Sequence, residues 1–143
     1  MPNMCMAKTI TYFISGHRDI SKENFEKYYV PAIEKVLNGD LGYNFVVGDC
    51  DGVDYMAQEY LLSKGVGFGV YHMYDKPRHF VLEGKSEREI ELSGVYLIGG
   101  FKSDVERDSA MTKNSDIDIA FIEKGRWKSG TAQNILRRHE IIY

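Results

Sequence analysis

Residues 46–54, VVGDCDGVD, place three aspartates directly after a short apolar run. Asp49, Asp51 and Asp54 repel one another unless a cation, a set of backbone N–H groups or water compensates their charge. Gln58 stands where a calcium loop of the EF-hand type would carry its closing glutamate, so we expect no resident metal. Asp54 falls at a predicted helix start, where the dipole stabilises a carboxylate. The other two aspartates are expected to be solvated or bonded to backbone N–H groups.

A second loop, residues 15–19 (SGHRD), follows a β-branched and aromatic run that predicts a strand. Gly16 lets the backbone approach a ligand closely, and Arg18 could bind a phosphate through two hydrogen bonds. Asp19 could cap the turn or fix Arg18. The alternative is a turn at a strand end that carries a surface ion pair.

A third loop, residues 123–134 (EKGRWKSGTAQN), begins a helix after a strand. Three small residues stand at this helix start: Ser129, Gly130 and Thr131. Small residues there leave N–H groups free to bind an anion. Arg126 and Lys128 add positive charge, and Trp127 offers a flat face to a base. The alternative is a capped helix preceded by a loop tryptophan.

The elements that must position these loops alternate along the chain. Predicted strands are Lys8–Ser15, Tyr43–Val47, Val66–Met73, Val95–Ile98 (as a strand or a loop) and Ile117–Ile122, with a strand stub at Ile141–Tyr143. Predicted helices are Lys22–Leu37 (capped by Ser21, with a kink or a restart at Pro31), Val53–Lys64, Glu83–Leu92, Val105–Asn114 and Thr131–Arg138. This alternation predicts a single α/β domain, Rossmann-like, with a mainly parallel sheet flanked by helices. In such sheets ligands bind beyond the carboxyl ends of the strands, where the three loops would meet.

Composition narrows the function classes. The chain has 143 residues and a net charge of −3, without a basic run, so we expect no binding to duplex nucleic acid. Cys5 and Cys50 form no CxxC pattern, which argues against a zinc site or a disulfide framework. No long apolar run indicates a signal peptide or a membrane span. We therefore expect a cytoplasmic protein without a membrane partner.

Four weak motifs occur in order: a G-x-R-D loop, a G-x-x-x-G-x-D loop, an R-[ND]-x-x-M helix and an SGT loop. Together they resemble the SLOG superfamily, most of all its YspA-like branch, with more distant similarity to LOG-type phosphoribohydrolases and nucleoside 2-deoxyribosyltransferases. The residues that carry the resemblance are Gly16, Arg18, Asp19, Gly48, Gly52, Asp54, Arg107, Asp108, Met111, Ser129, Gly130 and Thr131. The resemblance covers most of the chain except about residues 75–100, which we expect to form a lid, an insertion or a partner surface.

This resemblance implies a sheet that binds a nucleotide or a nucleotide-derived small molecule, in a protein that forms homo-oligomers. It implies that the SGT loop holds phosphate and that Asp54 lies near the sugar or base. The residues expected to bind the ligand are Gly16, Arg18, Asp19, Gly48, Gly52, Arg107, Ser129, Gly130 and Thr131. No cofactor is expected.

One departure from the resemblance divides the functional hypotheses. LOG-type enzymes carry a PGGxGTxxE loop whose glutamate serves catalysis, and Asn134 stands in its place here. An amide cannot act as a nucleophile or stabilise a ribosyl cation as a carboxylate would. This favours a sensor or sequestering module. The alternative is an enzyme that cleaves or exchanges an N-glycosidic bond with Asp54 as the catalytic carboxylate and Asp49, Asp51 and Asp116 as the next candidates. A structural subunit with a vestigial pocket is the third hypothesis.

Overall fold

The structure of this chain is a computed structural model that describes residues 8–139. Its strands are β1 (Thr9–Ser15), β2 (Gly42–Val47), β3 (Phe68–Met73), β4 (Val95–Phe101) and β5 (Ile117–Ala120). Its helices are α1 (Lys22–Asn24), α2 (Val30–Leu37), α3 (Val53–Ser63), α4 (Glu87–Leu92), α5 (Asp104–Lys113) and α6 (Gly130–His139). Within these residues no helix is both long and apolar enough to cross a membrane. The stub predicted at Ile141–Tyr143 and the cysteine at position 5 lie outside the described residues.

The five strands form one sheet in the order β4-β3-β2-β1-β5, and every neighbouring pair is parallel. This confirms the predicted α/β fold with a parallel sheet flanked by helices. Strands β2, β3 and β4 lie in succession on one side of β1, and β5 lies on its other side. The strand order therefore reverses between β1 and β5, which is where ligands bind in open sheets of this kind.

The first helical region restarts beside Pro31, which was one of the two expectations there. A π-helical segment, Phe25–Tyr29, joins α1 to α2, and α2 begins at Val30. Pro31 has no N–H to donate to the preceding turn, so it is accommodated as the second residue of α2. The Tyr29 hydroxyl donates to the Ser15 carbonyl at 2.7 Å and accepts from the Phe121 N–H at 3.1 Å. The segment thus ties together the carboxyl ends of β1 and β5.

The main core lies between the sheet and helices α2 and α3. It contains large side chains with almost no exposure, among them Phe45, Phe68, Ile33 and Leu61. All six residues of β3 are buried, as predicted for a central strand. The opposite face holds a smaller cluster around Phe13 and Met111, which confirms the expectation that this methionine belongs to the core.

The segment from 75 to 100 belongs to the sheet and its carboxyl edge. Its second half is α4 followed by the full edge strand β4. In its first half, the Gln58 side chain donates to the His79 carbonyl at 3.1 Å and accepts from the Val81 N–H at 3.0 Å. Phe80 and Leu82 are buried in the main core. These contacts anchor the loop after β3 to α3.

Candidate functional site

A cavity of about 480 Å³ opens at the carboxyl edge of the sheet. Its walls are the end of β1, the loops that follow β1 and β2, and the first turns of α5 and α6. Asp54 and all the residues predicted to bind the ligand, except Gly48 and Gly52, line this cavity. The structure therefore brings together side chains that are more than 100 positions apart in the sequence.

Gly48 and Gly52 allow protein groups to approach one another. A Cβ atom at Gly48 would lie 2.6 Å from Oδ2 of Asp54 and 2.8 Å from Cζ of Arg107. Gly52 has a φ of +74°, and a Cβ there would collide with the carbonyl oxygen of His17. Gly52 thus lets the loops after β1 and β2 pack together, and Gly48 lets Asp54 and Arg107 approach the end of β2.

Gly16 also has a packing role. A Cβ atom at this position would collide with the Tyr29 hydroxyl and with the Val53 side chain. The prediction that this glycine admits a ligand is incomplete, because the close approach that it permits is to α3 and the π-helical segment. Gly16 still lines the cavity through its backbone.

Asp49 is completely buried. It accepts from Nη1 of Arg107 at 2.7 Å, from Nε and Nη2 of Arg78 at 3.1 and 3.0 Å, and from two backbone N–H groups, of Arg78 and Met73. Burial alone would raise the pKa of Asp49, but these hydrogen bonds hold it well below its usual range. The expectation of a solvated Asp49 is wrong, whereas bonding to backbone N–H groups is confirmed.

Two further candidate acids lie away from the cavity. Asp51 is exposed and accepts from the N–H of Gly52 at 2.9 Å within its own turn. Asp116 accepts from the Thr11 N–H at 2.9 Å, near the amino ends of β1 and β5. Asp116 thus belongs to the opposite edge of the sheet.

Asp54 lies in the first turn of α3, is 5% exposed and lines the cavity. Its Oδ2 atom accepts from the Cys50 N–H at 3.0 Å. Burial raises the pKa of Asp54 to about 7, because it outweighs the opposing attraction of the Arg107 guanidinium. Asp54 can therefore give or take a proton near neutral pH, as a general acid or base must.

Arg107 is buried, and its guanidinium is already paired with carboxylates. Nε and Nη2 donate to Oδ1 of Asp108 at 3.0 and 2.8 Å, while Nη1 donates to Asp49. The sequence predicted a ligand-binding arginine here. The structure gives Arg107 a place in the cavity wall, with its hydrogen bonds directed to the protein.

Arg18 and Asp19 each have a partner from a distant element. Nη2 of Arg18 donates to Oδ2 of Asp104 at 2.9 Å. Asp19 accepts from Nη1 of Arg126 at 2.6 Å, so the expectation that Asp19 fixes Arg18 is wrong. The surface ion pairs foreseen as the simpler explanation are therefore present, although with other partners.

The start of α6 is the least satisfied part of the cavity. Ser129 caps the helix by accepting from the Ala132 N–H at 3.2 Å. The N–H groups of Gly130 and Thr131 have no hydrogen-bond partner among the described residues. A Cβ added at Gly130 would have nothing within 4 Å. Trp127 is 66% exposed and lies outside the cavity lining.

Two polar side chains that line the same cavity are also incompletely satisfied. The Ser15 hydroxyl is buried in the cavity wall, and no described residue bonds to it. Asn134 is buried in the same wall. Its side-chain oxygen accepts from Arg137 at 2.7 Å, and its side-chain nitrogen has no partner within residues 8–139. Sequence reasoning missed Ser15, although its position between a strand and a glycine was a usable signal.

His17 was also missed by sequence reasoning. It is buried, and its Nε2 atom accepts from the Glu123 N–H at 3.0 Å, which places the ring proton on Nδ1. Burial and the Arg126 guanidinium lower the pKa of His17. The neutral ring joins the loop after β1 to the loop after β5.

Within residues 8–139, no three His, Cys, Asp or Glu side chains are grouped so that they could hold a metal ion. Comparison with protein-family models, with curated proteins and with solved structures found no match to this chain. The resemblance to the SLOG superfamily stays a prediction.

Proposed function

We propose that this protein binds a nucleotide or a nucleotide-derived small molecule, as a sensor or sequestering module of the SLOG type. The observation that carries the proposal is the cluster of unsatisfied polar groups at the start of α6. This cluster lies next to the ends of β1 and β5, between which the strand order reverses. A buried hydroxyl without a partner costs free energy on folding, which a ligand that hydrogen-bonds to it would offset.

The start of α6 supports a phosphate position. The N–H groups of Gly130 and Thr131 and the positive end of the helix dipole suit an anion. Ser15 lines the same cavity, and its buried hydroxyl, which has no partner among the described residues, is a further donor for an oxygen of the phosphate. A phosphate there would be bound mainly by neutral donors, since the arginines of the wall are already paired.

The remainder of the cavity suits a sugar or a base. Its volume of about 480 Å³ falls in the range of small-molecule sites, roughly 300–1,000 Å³. Asp54 and the free amide nitrogen of Asn134 can bond to hydroxyl or ring groups. Because Asn134 replaces the catalytic glutamate of LOG-type enzymes, binding without turnover is the preferred form of the proposal.

Catalysis is the second candidate, and Asp54 is the observation that favours it. A carboxyl group with a pKa near 7 is partly protonated at neutral pH and can act as a general acid. In cleavage of an N-glycosidic bond, Asp54 would donate its proton to the departing base nitrogen, which takes the bonding electron pair. Water would then add to the sugar carbon and release a proton.

A mass-spectrometric screen tests both candidates. The protein is incubated with nucleotides, dinucleotides and nicotinamide cofactors, and both the solution and the retained ligand are analysed. An intact retained nucleotide supports the binding module, whereas free base with the matching sugar phosphate supports the enzyme. If no compound is retained and none yields a product, the proposal is contradicted.

Matched variants then assign the site. Ser15→Ala removes the unpaired hydroxyl from the cavity. Thr112→Val removes a second buried, unpaired hydroxyl that lies outside the cavity lining. Only Ser15→Ala should weaken retention. For the enzyme candidate, Asp54→Asn should abolish base release and keep binding.

A further inference from the structure

Three guanidinium groups converge on the single carboxylate of Asp104. Nη2 of Arg18 lies 2.9 Å from Oδ2, and Nη2 of Arg78 lies 2.6 Å from Oδ1. Nη1 of Arg107 lies 3.4 Å from the same Oδ1 atom. The three arginines come from three different parts of the chain. Such a convergence of donors is typical of sites for phosphoryl groups.

Two of these arginines have anchors that do not depend on Asp104. Arg78 binds the buried Asp49 with both Nε and Nη2. Arg107 is buried and binds Asp49 and Asp108. If the Asp104 side chain moved away, both guanidiniums would therefore stay in place as preorganised donors.

Asp104 itself is held more loosely. Its side chain is 40% exposed, and the side chain of Arg18 is 60% exposed. An ion pair between two such exposed side chains contributes little to stability. Asp104 is also the first residue of α5 and belongs to neither hydrophobic core cluster.

We propose that Arg18, Arg78 and Arg107 form an anion subsite for a phosphoryl group, which the carboxylate of Asp104 fills until the ligand displaces it. The subsite lies where two cavities adjoin. Arg18 lines both the cavity of about 480 Å³ and a neighbouring one of about 300 Å³, which Arg78 also lines. The ligand class is therefore a small molecule with two separate anionic groups, one at the start of α6 and one at the arginines. Only the group at α6 rests on the proposed function.

The first test measures the affinity for inorganic phosphate and pyrophosphate by calorimetry at fixed ionic strength. Asp104→Ala should bind pyrophosphate at least about tenfold more tightly than the wild type, because a competing carboxylate is gone. Glu106→Ala is the matched control. It makes the same charge change in the same helical turn, and Glu106 forms no ion pair among the described residues. Equal affinities for the two variants would overturn the subsite.

Additional variants locate the gain. Adding Arg18→Ala to Asp104→Ala should remove most of the increase in pyrophosphate affinity. If the increase persists, Arg18 does not bind the anion. Adding Gly130→Pro, which removes an N–H at the start of α6, should leave the gain intact. Its loss would place the anion at α6 instead. Asp104→Asn, which keeps the side-chain shape, should show a smaller gain and serves if the alanine variant does not fold.

These results are separable from the proposed function. The probes are inorganic, so a gain with Asp104→Ala supports the subsite even if no nucleotide binds. Conversely, nucleotide retention without any gain would overturn the subsite and leave the proposed function standing.

Discussion

Two sets of polar groups around the cavity differ in how completely they are satisfied. The charged network (Asp49, Arg78, Arg107 and Asp108) consists of side chains that bind one another and nearby backbone groups. The open wall (Ser15, Gly130, Thr131 and Asn134) presents a hydroxyl, two N–H groups and an amide nitrogen without a partner among the described residues. Both sets lie at the same edge of one sheet.

The two sets differ in what they offer a ligand without any rearrangement of the protein. A buried charge without a partner is strongly destabilising, so the fold itself requires the charged network. An uncharged donor without a partner is tolerated at a smaller cost, of about 1–3 kcal/mol, and remains available to a ligand. The charged network is therefore required by the fold, and its arginines bind an anion only after Asp104 is displaced, whereas the open wall is available to a ligand directly.

The largest expected loss of stability follows from a substitution in the charged network. Asp49→Asn should lower the free energy of unfolding by about 3–5 kcal/mol, because it leaves two arginines without their buried carboxylate. Asp51→Asn, two positions away and exposed, should change it by less than about 0.5 kcal/mol. Urea denaturation measures both variants. Equal changes in the free energy of unfolding would contradict the claim that Asp49 stabilises the fold and Asp51 does not.

A second effect concerns pH and separates Asp54 from Asp49. The folded pKa of Asp54, about 7, lies above the unfolded value of 3.8, so its contribution to stability is complete below pH 4 and is lost as pH rises through 7. From pH 5 to pH 8, the free energy of unfolding of Asp54→Asn should therefore rise by about 2–3 kcal/mol relative to that of the wild type. Denaturation at the two pH values checks this. A constant difference between the two proteins would contradict a raised pKa.

The open wall predicts a loss of affinity without a loss of stability. Gly130→Pro removes one free N–H at the first helical position, where proline is well tolerated. Hydrogen bonds to charged groups contribute about 1.5–3 kcal/mol, so binding of a retained nucleotide should weaken tenfold or more. Gly130→Ala keeps the N–H and adds a methyl group in open space, so it should bind more tightly than the proline variant. Isothermal titration compares them, and equal affinity would exclude this N–H from recognition.

The smallest effect is expected at Ser15. Ser15→Ala should weaken nucleotide binding about fivefold, in keeping with one neutral hydrogen bond of about 1 kcal/mol. Because this hydroxyl has no partner in the described part of the chain, the melting temperature should stay the same or rise. A marked fall in melting temperature would indicate a structural role for the hydroxyl instead.

The fold was predictable from the sequence because it depends on local patterns. The alternation of strand-like and helix-like segments along the chain was enough to predict a mainly parallel sheet. The rule for its carboxyl edge then brought the three loops together. The cap of the first helix was also predictable, since Ser21 accepts from the Asn24 N–H at 3.0 Å.

The pairing of charges was not predictable. Asp49 and Arg78 are 29 positions apart, and their contact depends on how the loop after β3 packs. Arg18 looked free for a phosphate because Asp104, 86 positions away, could not be placed beside it. The raised pKa of Asp54 likewise depends on burial by residues from several elements. Patterns along the chain indicated where the site lies, and tertiary packing decides which of its groups are unsatisfied.

The most direct test of the central claim is a map of backbone-amide chemical shifts during titration with a retained nucleotide. The account predicts that the largest changes occur at Gly130, Thr131 and Ser15. Residues Glu59 and Ser63, which line a separate cavity of about 530 Å³ against α3, should stay unchanged. Changes centred on α3, with the α6 amides unmoved, would contradict nucleotide binding at the carboxyl edge of the sheet.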